Sequence, residues 1–208
     1  MKNYYLLLLA ILFSTQISYG QECLNVKFKL RGYFHAGTSQ VDSTAIGDFY
    51  EDTNAPKKIA SSFKNISLSG AFQMIVQVDS IVKFGKNTKG FKVFVFNRTD
   101  SIIELSAQDS RLYIKRQVFY NNEWKDIEYL PSSWCGNSYH SVFIKPNESW
   151  DFTAPCLAGK ITSKFRFELY INENLSIYSN EFEGSFNKKQ LKKEQGYKPI
   201  GLMDPYNN

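Results

Sequence analysis

The feature that most constrains the fold is an alternation of period two, repeated along the chain. Val26, Phe28, Leu30, Gly32 and Phe34 alternate with Lys27, Lys29, Arg31 and Tyr33. Phe72, Met74, Val76 and Val78 alternate with Gln73, Ile75, Gln77 and Asp79. Phe165, Phe167, Leu169 and Ile171 alternate with Lys164, Arg166, Glu168 and Tyr170. Successive side chains of an extended chain point to opposite faces, so each stretch carries one apolar and one largely polar face. That is the signature of antiparallel sheets with one side in water. Phe91 to Phe96 is apolar on both faces and predicts a central strand. Further strands are expected at 111–120, 124–129, 140–145, 149–154 and 175–186.

The connections carry turn chemistry. Asn121-Asn122, Lys145-Pro146-Asn147 and Asn172-Glu173-Asn174 suit tight turns, because Asn tolerates φ > 0 and Pro presets φ. Gly85 to Gly90 makes a looser link. From about 66 to 186 strands recur at short spacing with no helical pattern between them, which argues for an antiparallel β-sandwich. The 17 Phe and 13 Tyr fit a pleated, half-buried surface. Residues 36–62 hold no sustained period and read as a long loop or insertion. The span 21–187 is expected to form one domain. It is followed at 188–208 by a polar tail with a basic cluster at Lys188, Lys189, Lys192 and Lys193.

Residues 1–20 read as a secretory signal peptide. Lys2 gives a positive start, Leu6 to Phe13 an apolar block too short to span a bilayer, and Ser18-Tyr19-Gly20 a cleavage site. The expected location is therefore secreted or periplasmic, an oxidising setting, with the mature chain starting near Gln21. Gln21-Glu22 before Cys23 argues against lipid attachment there, and no second apolar run reaches 18 residues, so no transmembrane segment is expected. The net charge of +5, reduced by one with the leader, favours loose affinity for anionic surfaces and is too weak to imply nucleic acid.

The chemistry-bearing residues centre on Trp134-Cys135-Gly136-Asn137-Ser138-Tyr139-His140. A secreted chain makes a Cys135–Cys156 disulfide the expected pairing, worth roughly 3 kcal/mol in the chain-entropy model, with Cys23 left over. Cys23–Cys135 and Cys23–Cys156 remain open. The thiol five positions from an imidazole also frames an alternative, a hydrolase using His140 or His35 with Cys135 or a serine. No Cys or His pair has zinc spacing, and neither a metal nor a cofactor is expected. Asp42, Asp48, Glu51 and Asp52 could ligate calcium but read better as a solvated loop. Asn65, Asn97, Asn147 and Asn174 head Asn-x-Ser/Thr sequons, of which Asn97 and Asn147 have turn roles. Trp124, Tyr129, Trp134, Tyr139 and Trp150 suit core packing. Trp134 and Tyr139, in a loop, could instead offer faces for a sugar or a protein, with Asn137 and His140 adding directional hydrogen bonds.

Several segments carry a resemblance: Asn97-Arg98-Thr99-Asp100, Ala107-Gln108-Asp109, Trp124-Lys125-Asp126-Ile127-Glu128-Tyr129, the heptapeptide around Cys135, Lys145-Pro146-Asn147-Glu148 and Tyr178-Ser179-Asn180-Glu181-Phe182. Over about 91–186 the chain resembles secreted, immunoglobulin-like β-sandwich proteins of environmental Gram-negative bacteria with no assigned activity. The resemblance implies a non-catalytic module for binding or structural support, and it brings no catalytic residues. A protease-inhibitor-like sandwich is a further alternative. The partner class is a protein or a carbohydrate.

Overall fold

The structure, a computed structural model, describes residues 22–46, 49–63, 70–131 and 136–196. The leader, Trp134 and Cys135 lie outside the described residues. Two short strands, β1 (Leu30–Arg31) and β2 (Lys57–Lys58), precede β3 (Phe72–Phe84), β4 (Thr88–Asn97), β5 (Ile103–Gln108) and β6 (Arg111–Leu112). Then come β7 (Ile114–Tyr120), β8 (Glu123–Asp126), β9 (Glu128–Tyr129) and β10 (Tyr139–Ile144). The last are β11 (Glu148–Pro155), β12 (Ile161–Asn172), β13 (Leu175–Tyr178) and β14 (Phe182–Phe186). Helical structure among the described residues is limited to 3-10 turns.

The chain is all-β with antiparallel sheets. One sheet has the order β2-β11-β4-β3, a second β13-β12-β7-β8 with β14 also on β12, and a third β10-β5-β6. Only the two-residue pair β1-β9 is parallel among these strands. The doubly apolar run at 91–96 is indeed interior, since β4 lies between β11 and β3. The inner faces of the two larger sheets share one core. Phe34 packs edge-on against Phe152 of β11 and Phe167 of β12, and Phe91 of β4 meets Phe167 and Phe182. Trp150 is fully buried and donates its indole N–H to the Gly37 carbonyl (3.0 Å).

Local chemistry accounts for the hairpins. Asn121 and Asn122 both adopt positive φ (54° and 62°), the conformation that a two-residue turn between twisted strands requires. Asn147 does the same between β10 and β11. The sequon residue Asn97 is buried. Its amide donates to the Ser101 and Ile144 carbonyls while its oxygen accepts from Thr99, so it ties two loops together.

Three expectations change. The alternating stretch 26–34 is not one continuous strand. Its inward residues Leu30, Gly32 and Phe34 are buried as the pattern requires, but its hydrogen bonds go to several partners, including Tyr129, Lys193 and Gln195. The stretch 175–186 splits into β13 and β14. Between them the Asn180 side chain bonds both the N–H and the carbonyl of Val76, blocking part of the β3 edge as a strand would. β5 escapes the sequence pattern, because its inward residues Leu105 and Ala107 make a weak apolar alternation.

The disulfide is also corrected. Cys156 is bonded to Cys23 (Cα–Cα 4.7 Å), so the expected Cys135–Cys156 bridge does not form. The reason is backbone pairing remote in sequence. Leu24 N–H donates to the Cys156 carbonyl, Ala158 N–H to Leu24, Cys156 N–H to Lys89, and Lys89 N–H to Glu22. The chain start is thus laid beside 156–158, and Cys23 falls opposite Cys156.

The 36–62 excursion covers an open edge. β10 is the outer strand of its sheet, and its outward groups are met by side chains and loop backbone. Ser141 N–H donates to Asp42 Oδ2, Phe143 N–H to Thr38 Oγ1, and Ser39 donates from both N–H and hydroxyl to the Phe143 carbonyl. Asp42, one of the calcium candidates, is thereby committed to hydrogen bonds from Thr44 and Ser141, which hold its pKa below the usual carboxylate range against the opposing effect of burial. Gly37 is required at the root of this excursion. A Cβ there would lie under 3 Å from backbone atoms of Glu51, Thr53 and Ala55.

Candidate functional site

The polar faces of the alternating strands build the most organised surface of the molecule. On β12, Arg166, Glu168 and Tyr170 face outward because Phe165, Phe167 and Leu169 face the core. On β7 and just before it, Tyr113, Lys115 and Gln117 do the same. Register then fixes the rows: Lys115 opposes Glu168, Gln117 opposes Arg166, and Tyr170 N–H donates to the Tyr113 carbonyl. β8 adds Trp124 and Asp126, and β13 adds Tyr178.

These side chains hold one another in place. The Arg166 guanidinium lies between the rings of Trp124 (4.2 Å) and Tyr178 (3.9 Å), and its Nε donates to Gln117 Oε1. Gln117 in turn donates to Asp126 and Glu168, and Lys115 pairs with Asp126 at 2.6 Å. Long side chains fixed in this way lose little further freedom when a ligand docks.

At one end this face opens into a groove of about 420 Å³ lined by Tyr113, Lys115, Leu130, Glu168 and Tyr170. The rings of Tyr113 and Tyr170 are 6.2 Å apart and inclined at 58°. Burial raises the Tyr113 pKa, and the neighbouring phenols of Tyr139 and Tyr170 raise it further. Tyr170 remains 38% exposed, so a large ring face reaches solvent beside an ammonium and a carboxylate.

No protein-family model and no curated protein matches the chain.

The sequence-derived binding residues separate into three groups. Asn137 and Tyr139 are exposed. Trp134 lies outside the described residues, as does Cys135, so the thiol–imidazole pair is not described. His140 turns inward, because its neighbours across β5 and β6 on the same face are the core residues Ala107 and Leu112. It is 7% exposed and stacks on Phe49 at 3.5 Å between ring centroids. Neither ring nitrogen has a hydrogen-bond partner of good geometry. His35, at the other sheet edge, bridges to Arg111. Among the described residues no serine hydroxyl or carboxylate bonds either imidazole, and no group of three His, Cys, Asp or Glu is placed to hold a metal. The tyrosine groove itself escaped sequence reading. Its residues sit on faces that look merely solvated, and only strand register brings Tyr113 beside Tyr170.

Burial lowers the His140 pKa, only partly offset by the Ser138 carbonyl and by the charges of Asp42, Asp109 and Glu51. Between the folded and unfolded values the unfolded chain binds more protons, so stability falls as pH drops below the unfolded value of about 6.5. His140→Phe is expected to keep the stack on Phe49, to raise stability by about 1 kcal/mol at neutral pH by removing unpaired buried nitrogens, and to flatten the acid-side decline. Urea titrations at several pH values between 5 and 8 check this. An unchanged pH profile would assign the decline to other groups.

Proposed function

We propose that the mature chain is a secreted or periplasmic, non-catalytic β-sandwich of the immunoglobulin-like type that binds a saccharide. The two larger antiparallel sheets packed on a common core support the sandwich, and the Cys23–Cys156 bond supports an oxidising compartment. The observation that carries the binding role is the convergence of Tyr113 and Tyr170 on a groove that also holds Lys115 and Glu168. Aromatic faces offer flat apolar area to the C–H face of a sugar ring, while the charged pair supplies a donor and an acceptor for its hydroxyls.

The test is affinity for a panel of soluble neutral oligosaccharides of glucose, mannose, xylose and N-acetylglucosamine, measured by calorimetry. The tightest binder is expected to lose about tenfold or more in affinity (about 1.4 kcal/mol) in Tyr170→Ala and in Tyr113→Ala. Ile81→Ala, an exposed apolar truncation on β3 of the other large sheet, is expected to leave it unchanged. A panel with no binder, or a binder indifferent to both tyrosines, overturns the saccharide reading. Capture of a protein that requires the same tyrosines would replace the sugar with a protein partner.

A further inference from the structure

The lysines that the sequence scatters along the chain are gathered by the fold. Lys27 comes from the N-terminal segment, Lys160 from the entry to β12, and Lys188 and Lys189 from the 3-10 turn Lys188–Leu191. With Ile161 and Asn187 they line one cleft of about 370 Å³. The cleft is held by buried polar contacts rather than by its own charges. Asn187 Nδ2 donates to Asn25 Oδ1 and to the Val26 carbonyl, and Asn187 N–H to Gln190 Oε1, all at 2.8 Å. Lys29 N–H donates to the Lys193 carbonyl, and Gln195 N–H returns a bond to Lys29. The basic stretch after β14 is therefore docked along residues 25–31. It places Lys29, Lys192 and Lys193 in continuation of the cleft, with Glu194 the acid on that segment.

None of the four cleft lysines forms an ion pair among the described residues, whereas Lys92, Lys115, Lys125 and Lys164 each have a carboxylate partner. Like charges held together without counter-charges raise the local positive potential, and an anion in the cleft relieves the repulsion. Lysine ammonium groups act as compact point charges without the planar fork of arginine, so they suit repeated anionic groups in variable orientation. A membrane-surface site would place large apolar side chains beside the lysines for insertion. Among the described residues, the exposed large hydrophobic ones, such as Val78, Ile81, Phe119 and Tyr178, are all elsewhere. The geometry points to a second, separate site on this chain for an anionic polysaccharide, one bearing sulfate or uronate groups.

The experiment compares wild type with Lys27→Gln/Lys160→Gln/Lys188→Gln/Lys189→Gln. A charge-matched control changes four exposed lysines elsewhere, Lys57→Gln/Lys83→Gln/Lys86→Gln/Lys145→Gln. The probes are dextran sulfate oligomers, polygalacturonate oligomers and vesicles containing phosphatidylglycerol, all in 0.15 M salt. Expected is binding to at least one of the two oligomers that weakens tenfold or more in the cleft variant, less than twofold in the control, and falls with added salt. Tyr170→Ala is expected to leave this binding intact, which separates the site from the tyrosine groove. Equal losses in the two quadruple variants, vesicle binding as tight as polysaccharide binding, no binding to either oligomer, or dependence on Tyr170 would each overturn the assignment.

Discussion

Replacing Cys23 or Cys156 by Ser is expected to destabilise the protein by about 4–5 kcal/mol, the largest loss from any single bond in the fold. The bridge spans a sequence separation of 133, so in the chain-entropy model it removes a large share of the unfolded chain's freedom. It also fastens a segment with few other anchors. Residues 22–24 join the fold through short backbone bridges to 88–89 and 156–158 rather than through a full ladder. Guanidinium denaturation of the oxidised and dithiothreitol-treated protein measures the effect. Cys135→Ser is expected to leave the midpoint nearly unchanged, because Cys135 takes no part in this bond. A large loss in Cys135→Ser with a small one in Cys23→Ser would reverse the pairing.

The second large effect lies in the core. Arg116 and Glu128 are both 0% exposed, with Nε 3.2 Å from Oε1. The Arg116 backbone N–H donates to Glu128 Oε2, its Nη2 donates to the Tyr33 hydroxyl and the Pro155 carbonyl, and Tyr33 donates to Glu128 Oε1. The guanidinium also lies over the rings of Phe91 and Phe167. Burial raises the Glu128 pKa and the attraction of Arg116 works against it; burial likewise pushes the Tyr33 phenol well up. Arg116→Met leaves Glu128 as a buried carboxylate without its counter-charge and is expected to cost about 3–5 kcal/mol. Glu128→Met strands the guanidinium and is expected to cost as much. The double variant is expected to recover most of that loss, since two apolar chains need no desolvation of charge. Urea unfolding of the two single variants and the double variant closes the cycle. Additive losses would show that the two residues act independently.

Alternation alone makes the faces of β12 legible, because side-chain direction on a strand depends only on parity. In β3 it holds for Met74 and Val76 and fails at Val78, which is exposed where the register with β4 shifts. The turns at Asn121-Asn122 and Asn147 are equally legible, since a positive φ is a local demand. What escapes the sequence depends on partners distant along the chain. Cys23 meets Cys156 only because the segments around Glu22 and Leu24 pair with Lys89 and Cys156. His140 has the chemistry of a ligand contact, and only register puts it on the same face as Ala107 and Leu112. Arg116 and Glu128 resemble surface residues in sequence because neither pattern nor spacing announces a buried ion pair. The tyrosine groove shares that origin, and the lysine cleft shares it in part: the basic cluster at Lys188 and Lys189 is visible in the sequence, but only the fold brings Lys27 and Lys160 to it.

The central claim is that the tyrosine groove is where this chain meets its ligand. Amide and aromatic chemical-shift mapping of the isotope-labelled protein, titrated with its tightest-binding neutral oligosaccharide, tests it most directly. Saturable shifts are expected at Tyr113, Lys115, Glu168 and Tyr170, with the cleft around Lys58, Arg98 and Asn147 unmoved. Shifts centred on that other cleft, with the tyrosines silent, would contradict it.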